Sequence, residues 1–128
     1  MHNLLVTGAN GFVGQALCAL AVRRGFHIKG AVRTACNLPL GAEQIVVGSI
    51  DGDTIWADAL QGVDVIVHLA ARVHVMKDSS ADPLAEFRKV NVAGTENLAR
   101  QAAQAGVKRL KDFSLFALAF VDCFARQY

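Results

Sequence analysis

The sequence predicts an α/β fold in which a doubly wound parallel sheet carries helices on both faces. Strand-like and helix-like segments alternate along the chain, and the strand-like segments are apolar on both faces. A glycine-rich turn joins the first strand-like segment to the first helix-like one. With right-handed crossovers these segments form one sheet, and such sheets bind ligands at the carboxyl ends of their strands.

The individual elements follow from the spacing of apolar residues and from the residues that interrupt it. Strands are predicted at 3–7, 27–33, 44–48, 63–69 and 107–113, and helices at 12–24, at 53–60 and from about 82 to 104. Gly25 occupies the position expected of a glycine that ends the first helix. Asp82 can cap the last helix, and Pro83 fits its first turn.

The composition is that of a globular protein with one domain. The 128 residues are 53% apolar and 19% charged, with a net charge of +2. Lysine and arginine are scattered rather than clustered, so we expect no nucleic-acid partner. The first residues lack the pattern of a signal peptide. The apolar run 115–121 is too short to span the roughly 30 Å of hydrocarbon in a membrane.

The cysteines, Cys18, Cys36 and Cys123, are odd in number and far apart. Neither they nor the histidines form a cluster with metal-ligand spacing, so we expect no metal site. Cys18 falls on the apolar stripe of the first helix and is predicted to be a core residue. A reducing cytoplasm is the simplest setting for such a protein.

Chemistry is indicated most clearly by the glycine turn, residues 7–14. Gly8 allows a sharp bend after the first strand, and the missing side chain of Gly11 lets a pyrophosphate approach the backbone. The N–H groups of Phe12 and Val13 begin the helix and can donate to that anion, which the helix dipole also favours. Gly14 is expected to let the helix lie close to the sheet. The alternative is a tight turn that binds nothing.

The end of the second strand bears on the choice of nucleotide. An acidic residue about twenty positions after the turn would bind a ribose 2′-hydroxyl, but Val32 and Arg33 stand there. The planar guanidinium of Arg33 suits the oxygens of a 2′-phosphate, which favours NADP over NAD. The alternative is an ordinary arginine that faces solvent at a strand end.

Three motifs in order resemble the extended short-chain dehydrogenase/reductases. They are TGANGFVG at 7–14, VHLAA at 67–71 and NVAGTENLARQAAQAGVKR at 91–109. The branch they resemble comprises the NAD(P)-dependent nucleotide-sugar epimerases, dehydratases and 4-ketoreductases of surface-polysaccharide synthesis. The resemblance covers about residues 2–109 and implies a Rossmann-like domain that binds NAD or NADP.

The resemblance also implies which positions contact the cofactor. They lie in the glycine turn (Gly8, Gly11, Phe12, Val13) against the pyrophosphate, after the third strand (Ser49, Ile50) beside the adenine, after the fourth strand (Leu69, Ala70, Ala71) along the cofactor, and on the long helix (Asn91) facing the site. The family often has Asp where Ser49 stands. Gly94 is expected to let the long helix pack closely on the sheet. His68 is expected to be a satisfied, partly buried histidine rather than a base, and His74 a surface residue.

The catalytic dyad of this family is not found in the sequence. The family has a Ser or Thr after the fifth strand and then Tyr-x-x-x-Lys, in which the lysine lowers the pKa of a tyrosine that acts as general acid or base. The sequence has one tyrosine, Tyr128, with no lysine after it. We therefore assign no catalytic residue and expect these 128 residues to be catalytically incomplete.

The family-like pattern is expected to end near residue 110. A central strand would bury both Lys111 and Asp112, at a cost of several kcal/mol for each unpaired charge, and Leu115 replaces the second serine of the family's pair. We therefore predict a dinucleotide-binding domain over 1–110, truncated after about the fifth strand, and an atypical hydrophobic tail over 111–128. A shifted reading frame or a truncated gene would produce such a change, as would a natural variant ending. The tail could cover the sheet edge, mediate self-association or promote aggregation.

Two functions remain open from the sequence. The first is the cofactor-binding part of a nucleotide-sugar epimerase, dehydratase or 4-ketoreductase. The second is a non-catalytic fragment that binds a dinucleotide or only a partner chain.

Overall fold

The fold is seen in a computed structural model that describes residues 2–70 and 83–113, with the side chains of 83–90 outside that description. Ala71, His74, Asp82 and the tail from residue 114 onward also lie outside the described residues. The elements in chain order are β1 (Asn3–Thr7), α1 (Phe12–Arg23), β2 (His27–Val32), β3 (Ala42–Val46), β4 (Val65–His68), α2 (Pro83–Gln104) and β5 (Arg109–Asp112).

The five strands form one parallel sheet with the order β3-β2-β1-β4-β5. β1 pairs with β2 from Asn3↔His27 to Thr7↔Ala31, and on its other side with β4 from Leu4↔Val65 to Thr7↔His68. The strand order reverses between β1 and β4, so the carboxyl end of β1 is the switch point of the sheet. The predicted doubly wound, Rossmann-like fold is confirmed.

Each face of the sheet carries its own core. Alternate residues of β1 point to opposite faces, so Leu5 packs against Leu98 of α2 while Val6 packs against Cys18 of α1, and all four side chains are fully buried. The prediction that Cys18 is a core residue is confirmed. The two layers leave the carboxyl ends of β1 and β4 open between them.

One predicted helix is wrong. Residues 53–60 form a series of turns, in which Leu60 N–H donates to the Trp56 carbonyl at 2.9 Å but Trp56 N–H donates to the Gln101 side chain. Trp56 and Leu60 are buried as expected, whereas Ile55 is 81% exposed. Three apolar residues in eight positions are compatible with either a helix or a folded loop. The loop forms here because Trp56 N–H is bonded to a side chain of α2 instead of to a carbonyl within a helix.

The last strand is present where predicted but is shorter than 107–113. β5 runs through Lys111 and Asp112, and the ladder continues with Phe113 N–H donating to the His68 carbonyl at 2.8 Å. Among the described residues β5 is an edge strand, so both charged side chains remain exposed and no charge is buried. None of the described helices has the length and apolarity that a bilayer crossing requires.

Candidate functional site

A groove opens at the carboxyl ends of the strands, where the switch point predicts a ligand site. Its volume is about 800 Å³. Nearly all the positions predicted to bind the cofactor lie along it or at its α1 end. The lining residues among these predicted positions are Gly8, Gly11, Arg33, Ser49, Ile50, Leu69, Ala70 and Asn91.

The glycine turn is shaped by close backbone contacts. Gly8 has φ +65°, and a Cβ there would lie 2.9 Å from Ala70 N. A Cβ on Gly14 would lie 2.1 Å from the Gly8 carbonyl oxygen, closer than atoms can approach. Gly14 is therefore needed for the closeness of α1 to the turn itself, rather than to the sheet as the sequence suggested. Gly11 N–H donates to the Gly8 carbonyl at 3.0 Å and closes the turn.

The start of α1 presents unpaired backbone donors to the groove. Gly11 caps the helix in an extended conformation (φ −75°, ψ 174°) without a side-chain cap, and the first turn contains no acidic residue. The first intrahelical donor is Gln15 N–H, which bonds to the Gly11 carbonyl at 2.9 Å. Within the described chain the N–H groups of Phe12, Val13 and Gly14 consequently have no acceptor. These N–H groups lie at the positive end of the helix dipole, so the start of α1 can bind an anion.

The two side chains at this helix start are exposed and are not among the residues that line the groove. Phe12 is 94% exposed and Val13 is 60% exposed. These two predicted residues can therefore serve a bound anion only through their backbone amides.

A hydroxyl on β1 organises the end of β4. Thr7 is fully buried, and its Oγ1 accepts hydrogen bonds from Leu69 N–H at 3.0 Å and from Ala70 N–H at 3.1 Å. These bonds hold the first residues after β4 beside the glycine turn. Thr7 was not identified from the sequence as a site residue, although its place between the strand and Gly8 offered a signal.

His68 is buried and bonded through both ring nitrogens. Nδ1 lies 2.6 Å from Thr7 Oγ1, and Nε2 lies 3.1 Å from Thr95 Oγ1 on α2. Burial lowers the pKa of His68 below its ordinary value, with Asp112 opposing that shift. His68 is hydrogen-bonded as predicted, and it is fully rather than partly buried. That it does not act as a base stays a prediction.

The segment after β3, residues 48–60, forms another wall and is here called the β3 exit segment. Ser49 and Ile50 line the groove, and the Ser49 carbonyl accepts a bond from Thr54 Oγ1 at 2.7 Å. Asp51 N–H donates to Thr54 Oγ1 at 2.9 Å, while Asp51 Oδ1 accepts from Asp53 N–H at 2.8 Å. The run from Asp51 to Thr54 is thus a side-chain-stabilised turn, which its composition of Asp, Gly and Thr could have indicated.

Two side-chain amides of α2, more than 40 residues away in sequence, hold the β3 exit segment in place. Asn97 Nδ2 donates to the Thr54 carbonyl at 2.8 Å and the Asp51 carbonyl at 3.3 Å. Gln101 donates to the same Thr54 carbonyl at 2.8 Å and accepts from Trp56 N–H at 2.9 Å. Their spacing of four residues places both on one face of α2. Neither residue was identified from the sequence.

Asn91 and Gly94 lie further toward the start of α2. Asn91 is buried and lines the groove, as the resemblance implied. A Cβ on Gly94 would lie 3.2 Å from the Ile50 carbonyl oxygen. Gly94 therefore allows α2 to approach the β3 exit segment rather than a strand.

The end of β2 carries an exposed cation. Arg33 lines the groove next to Thr34, and its side chain is exposed. Among the groove-lining residues that the structure describes, the one carboxylate is that of Asp51, which is engaged in its own turn. Among the side chains of residues 2–70 and 91–113, no group of three or more His, Cys, Asp or Glu is placed to hold a metal ion.

Comparison with known proteins agrees with this geometry. The family model of the NAD dependent epimerase/dehydratase family matches residues 4–114. The chain therefore belongs to that family, and its resemblance to the extended short-chain dehydrogenase/reductases is confirmed. It is 45% identical over 108 residues to a UDP-glucose 4-epimerase of Vibrio cholerae, covering 84% of this chain and 33% of the relative.

Other relatives have different named activities. A 3-beta-hydroxysteroid dehydrogenase of Mycolicibacterium neoaurum is 38% identical over 114 residues, covering 85% of this chain and 31% of its own. The chain thus spans about a third of the length of the curated relatives it matches.

Solved structures share the fold. A short-chain dehydrogenase/reductase superfamily protein from Agrobacterium tumefaciens with bound NAD aligns with a TM-score of 0.69 at 33% identity, covering 87% of this chain and 32% of that one. MoeE5 in complex with UDP-glucose and NAD aligns with a TM-score of 0.69 at 30% identity, covering 86% and 35%.

Proposed function

We propose that this chain binds a nicotinamide dinucleotide in the groove, with the pyrophosphate at the start of α1. The observation that carries the proposal is the set of unpaired N–H groups of Phe12, Val13 and Gly14, placed at the switch point beside backbone that only glycine permits. Two solved relatives at 30% identity or more hold NAD, which supports the same ligand here.

The remaining lining residues are assigned to two parts of the dinucleotide, one group to the adenine and one to its other half. The adenine lies at Ser49 and Ile50, because the β3 exit segment stands beside the end of β2. The other half of the dinucleotide runs past Leu69 and Ala70 toward Asn91. Ala71, which the resemblance places in this half, remains a prediction.

A proline substitution gives the sharpest test of the anion site. Phe12 occupies the first helical position, where proline is well tolerated, and the extended Gly11 before it suits a following proline. Phe12→Pro removes one donor to the pyrophosphate, and we expect NADH affinity measured by calorimetry to fall about tenfold or more. Phe12→Ala removes the exposed ring but keeps the N–H, and should bind like the wild type. Equal affinities for the two variants would contradict the proposal.

Arg33 supports NADP as the preferred dinucleotide. Arg33 lines the groove where the second strand ends, and the described end of that strand offers no carboxylate to a ribose 2′-hydroxyl. Arg33→Gln should weaken NADPH binding about tenfold while leaving NADH binding nearly unchanged. Arg24→Gln, at the far end of α1, is the matched control. Tighter binding of NADH than of NADPH by the wild type would overturn the preference.

The reaction class is proposed for the longer proteins that this sequence resembles. We infer the cofactor-binding part of a nucleotide-sugar epimerase, dehydratase or 4-ketoreductase, in surface-polysaccharide synthesis and in the cytoplasm. The Vibrio cholerae relative and the UDP-glucose complex support a nucleotide sugar. The steroid dehydrogenase supports the alternative that the substrate class differs.

The 128 residues themselves are proposed to bind without turnover, because their sequence has a single tyrosine and no Tyr-x-x-x-Lys. This supports the second function, a non-catalytic dinucleotide-binding fragment, for the polypeptide as it stands. Turnover of UDP-glucose with NAD, or of a UDP-4-keto-sugar with NADPH, by the purified chain would contradict the proposal.

A further inference from the structure

The hydrogen-bond partners of Thr7 determine where the proton of its hydroxyl lies. A threonine hydroxyl has one proton and two acceptor lone pairs. Leu69 N–H and Ala70 N–H both donate to Thr7 Oγ1, at 3.0 and 3.1 Å. The lone pairs are therefore occupied, and the proton must point at the remaining neighbour, His68 Nδ1, at 2.6 Å.

That assignment fixes the tautomer of His68. Because Nδ1 accepts a proton from Thr7, it carries none of its own, and a neutral imidazole must then carry its proton on Nε2. Nε2 lies 3.1 Å from Thr95 Oγ1 and donates to it. Among the described residues, the groups that face His68 from β1 and α2 are the neutral hydroxyls of Thr7 and Thr95, and the charged group that acts on it is Asp112 on β5.

This chain of bonds joins the elements that build the groove. Ala70, held by Thr7, lies against Gly8 of the glycine turn. Thr95 follows Gly94, which contacts Ile50 of the β3 exit segment. The imidazole connects these two sides through the interior.

We propose that His68, as its neutral Nε2–H tautomer, is a positioning residue for the dinucleotide groove. It orients the Thr7 hydroxyl so that both Leu69 and Ala70 are held beside the glycine turn, and it ties that end of β4 to Thr95 on α2. The proposal rests on the proposed binding of a dinucleotide. His68 contacts the groove but performs no proton transfer.

A substitution of Thr95, the α2 end of this series of hydrogen bonds, tests whether His68 positions the groove. Thr95 is not itself one of the groove-lining residues. Thr95→Val keeps the shape of the side chain but leaves the imidazole N–H without an acceptor, whereas Thr95→Ser keeps the hydroxyl. We expect Thr95→Val to weaken NADH binding by the full 128-residue chain about tenfold, and Thr95→Ser to bind NADH with nearly the wild-type affinity.

A spectroscopic readout separates positioning from general loss of stability. Nitrogen-15 NMR of the wild-type imidazole at pH 7 should show Nδ1 as the unprotonated acceptor and Nε2 as the protonated nitrogen. In Thr95→Val the signal of Nε2–H should shift as its acceptor is lost.

The outcomes separate this inference from the proposed function. A wild-type chain that binds NADH, together with unchanged binding by Thr95→Val, overturns the inference alone. A proton on Nδ1 in the wild type overturns it as well. A wild-type chain that fails to bind NADH overturns the proposed function and the inference with it.

Discussion

The glycine turn and the β3 exit segment both line the groove, yet they are held in different ways. The turn is fixed by bonds within a few residues, such as Gly11 N–H to the Gly8 carbonyl. The exit segment is fixed by Asn97 and Gln101, which bond to the Thr54 carbonyl from 43 and 47 residues away. The first region can therefore be predicted from local sequence, and the second depends on the packing of α2.

The largest effect is expected from a substitution in the glycine turn, the region that is held by local contacts. Gly14→Ala places a Cβ 2.1 Å from a backbone oxygen that cannot move aside, so we expect a loss of about 3 kcal/mol or more in the free energy of unfolding, measured with urea. Gly62→Ala is the control, because Gly62 has φ +71° but open space around it. Backbone strain alone should cost it about 1 kcal/mol. Equal losses would mean that the close contact at Gly14 is not what the turn requires.

A smaller effect is expected in the region held from a distance. Gln101→Ala leaves Trp56 N–H without its acceptor, which should lower the free energy of unfolding by about 2 kcal/mol. Affinity for NADH should fall as well, because the exit segment loses its anchor. Gln104→Ala, exposed at the end of the same helix, should change either quantity little. If the two variants behave alike, α2 does not hold the exit segment.

Lowering the pH is expected to destabilise the fold through His68, which connects the two sides of the groove. Burial lowers its folded pKa below the ordinary value of 6.5, so the unfolded chain takes up the proton first. Its contribution to stability is complete above pH 6.5 and is lost as the pH falls from there through the folded pKa. Urea unfolding across pH 5 to 8 should show this decline in the wild type and a weaker one in His68→Asn. An identical pH dependence would show that His68 titrates normally.

The smallest effect concerns the accessibility of thiols and involves no change in stability. Cys18 lies fully buried behind the glycine turn, and burial raises the pKa of its thiol. Cys36 is partly exposed beyond β2. In a Cys123→Ser background, a thiol reagent should label Cys36 well before Cys18, as followed by peptide mass. Equal rates would indicate that α1 opens readily from the sheet.

The sequence predicted those parts of the fold that local chemistry determines. The bounds of β1 are as predicted and those of α1 differ by one residue, because an apolar strand, glycines and a helical stripe follow one another directly. The helix predicted at 53–60 was wrong, since the partner of Trp56 N–H lies on α2 and leaves no local signal. At β5 the described strand lies at the sheet edge, so Lys111 and Asp112 stay exposed and the burial cost expected for a central strand does not arise.

The candidate site divides in the same way. Gly8, Gly11 and Arg33 line the groove as their motif positions predicted. Asn97 and Gln101 were missed because an asparagine and a glutamine on a helix are usually surface residues, and only the fold reveals which carbonyls they meet. The roles of Thr7 and Thr95 likewise depend on the position of the imidazole between them.

Titration of the nitrogen-15-labelled chain with NADH, followed by amide NMR, tests the central claim most directly. Binding of the pyrophosphate at the start of α1 predicts that the largest shifts fall on the N–H signals of Phe12, Val13 and Gly14, with smaller shifts at Ser49 and Ala70. Saturating NADH that leaves those three amides unmoved would contradict the account.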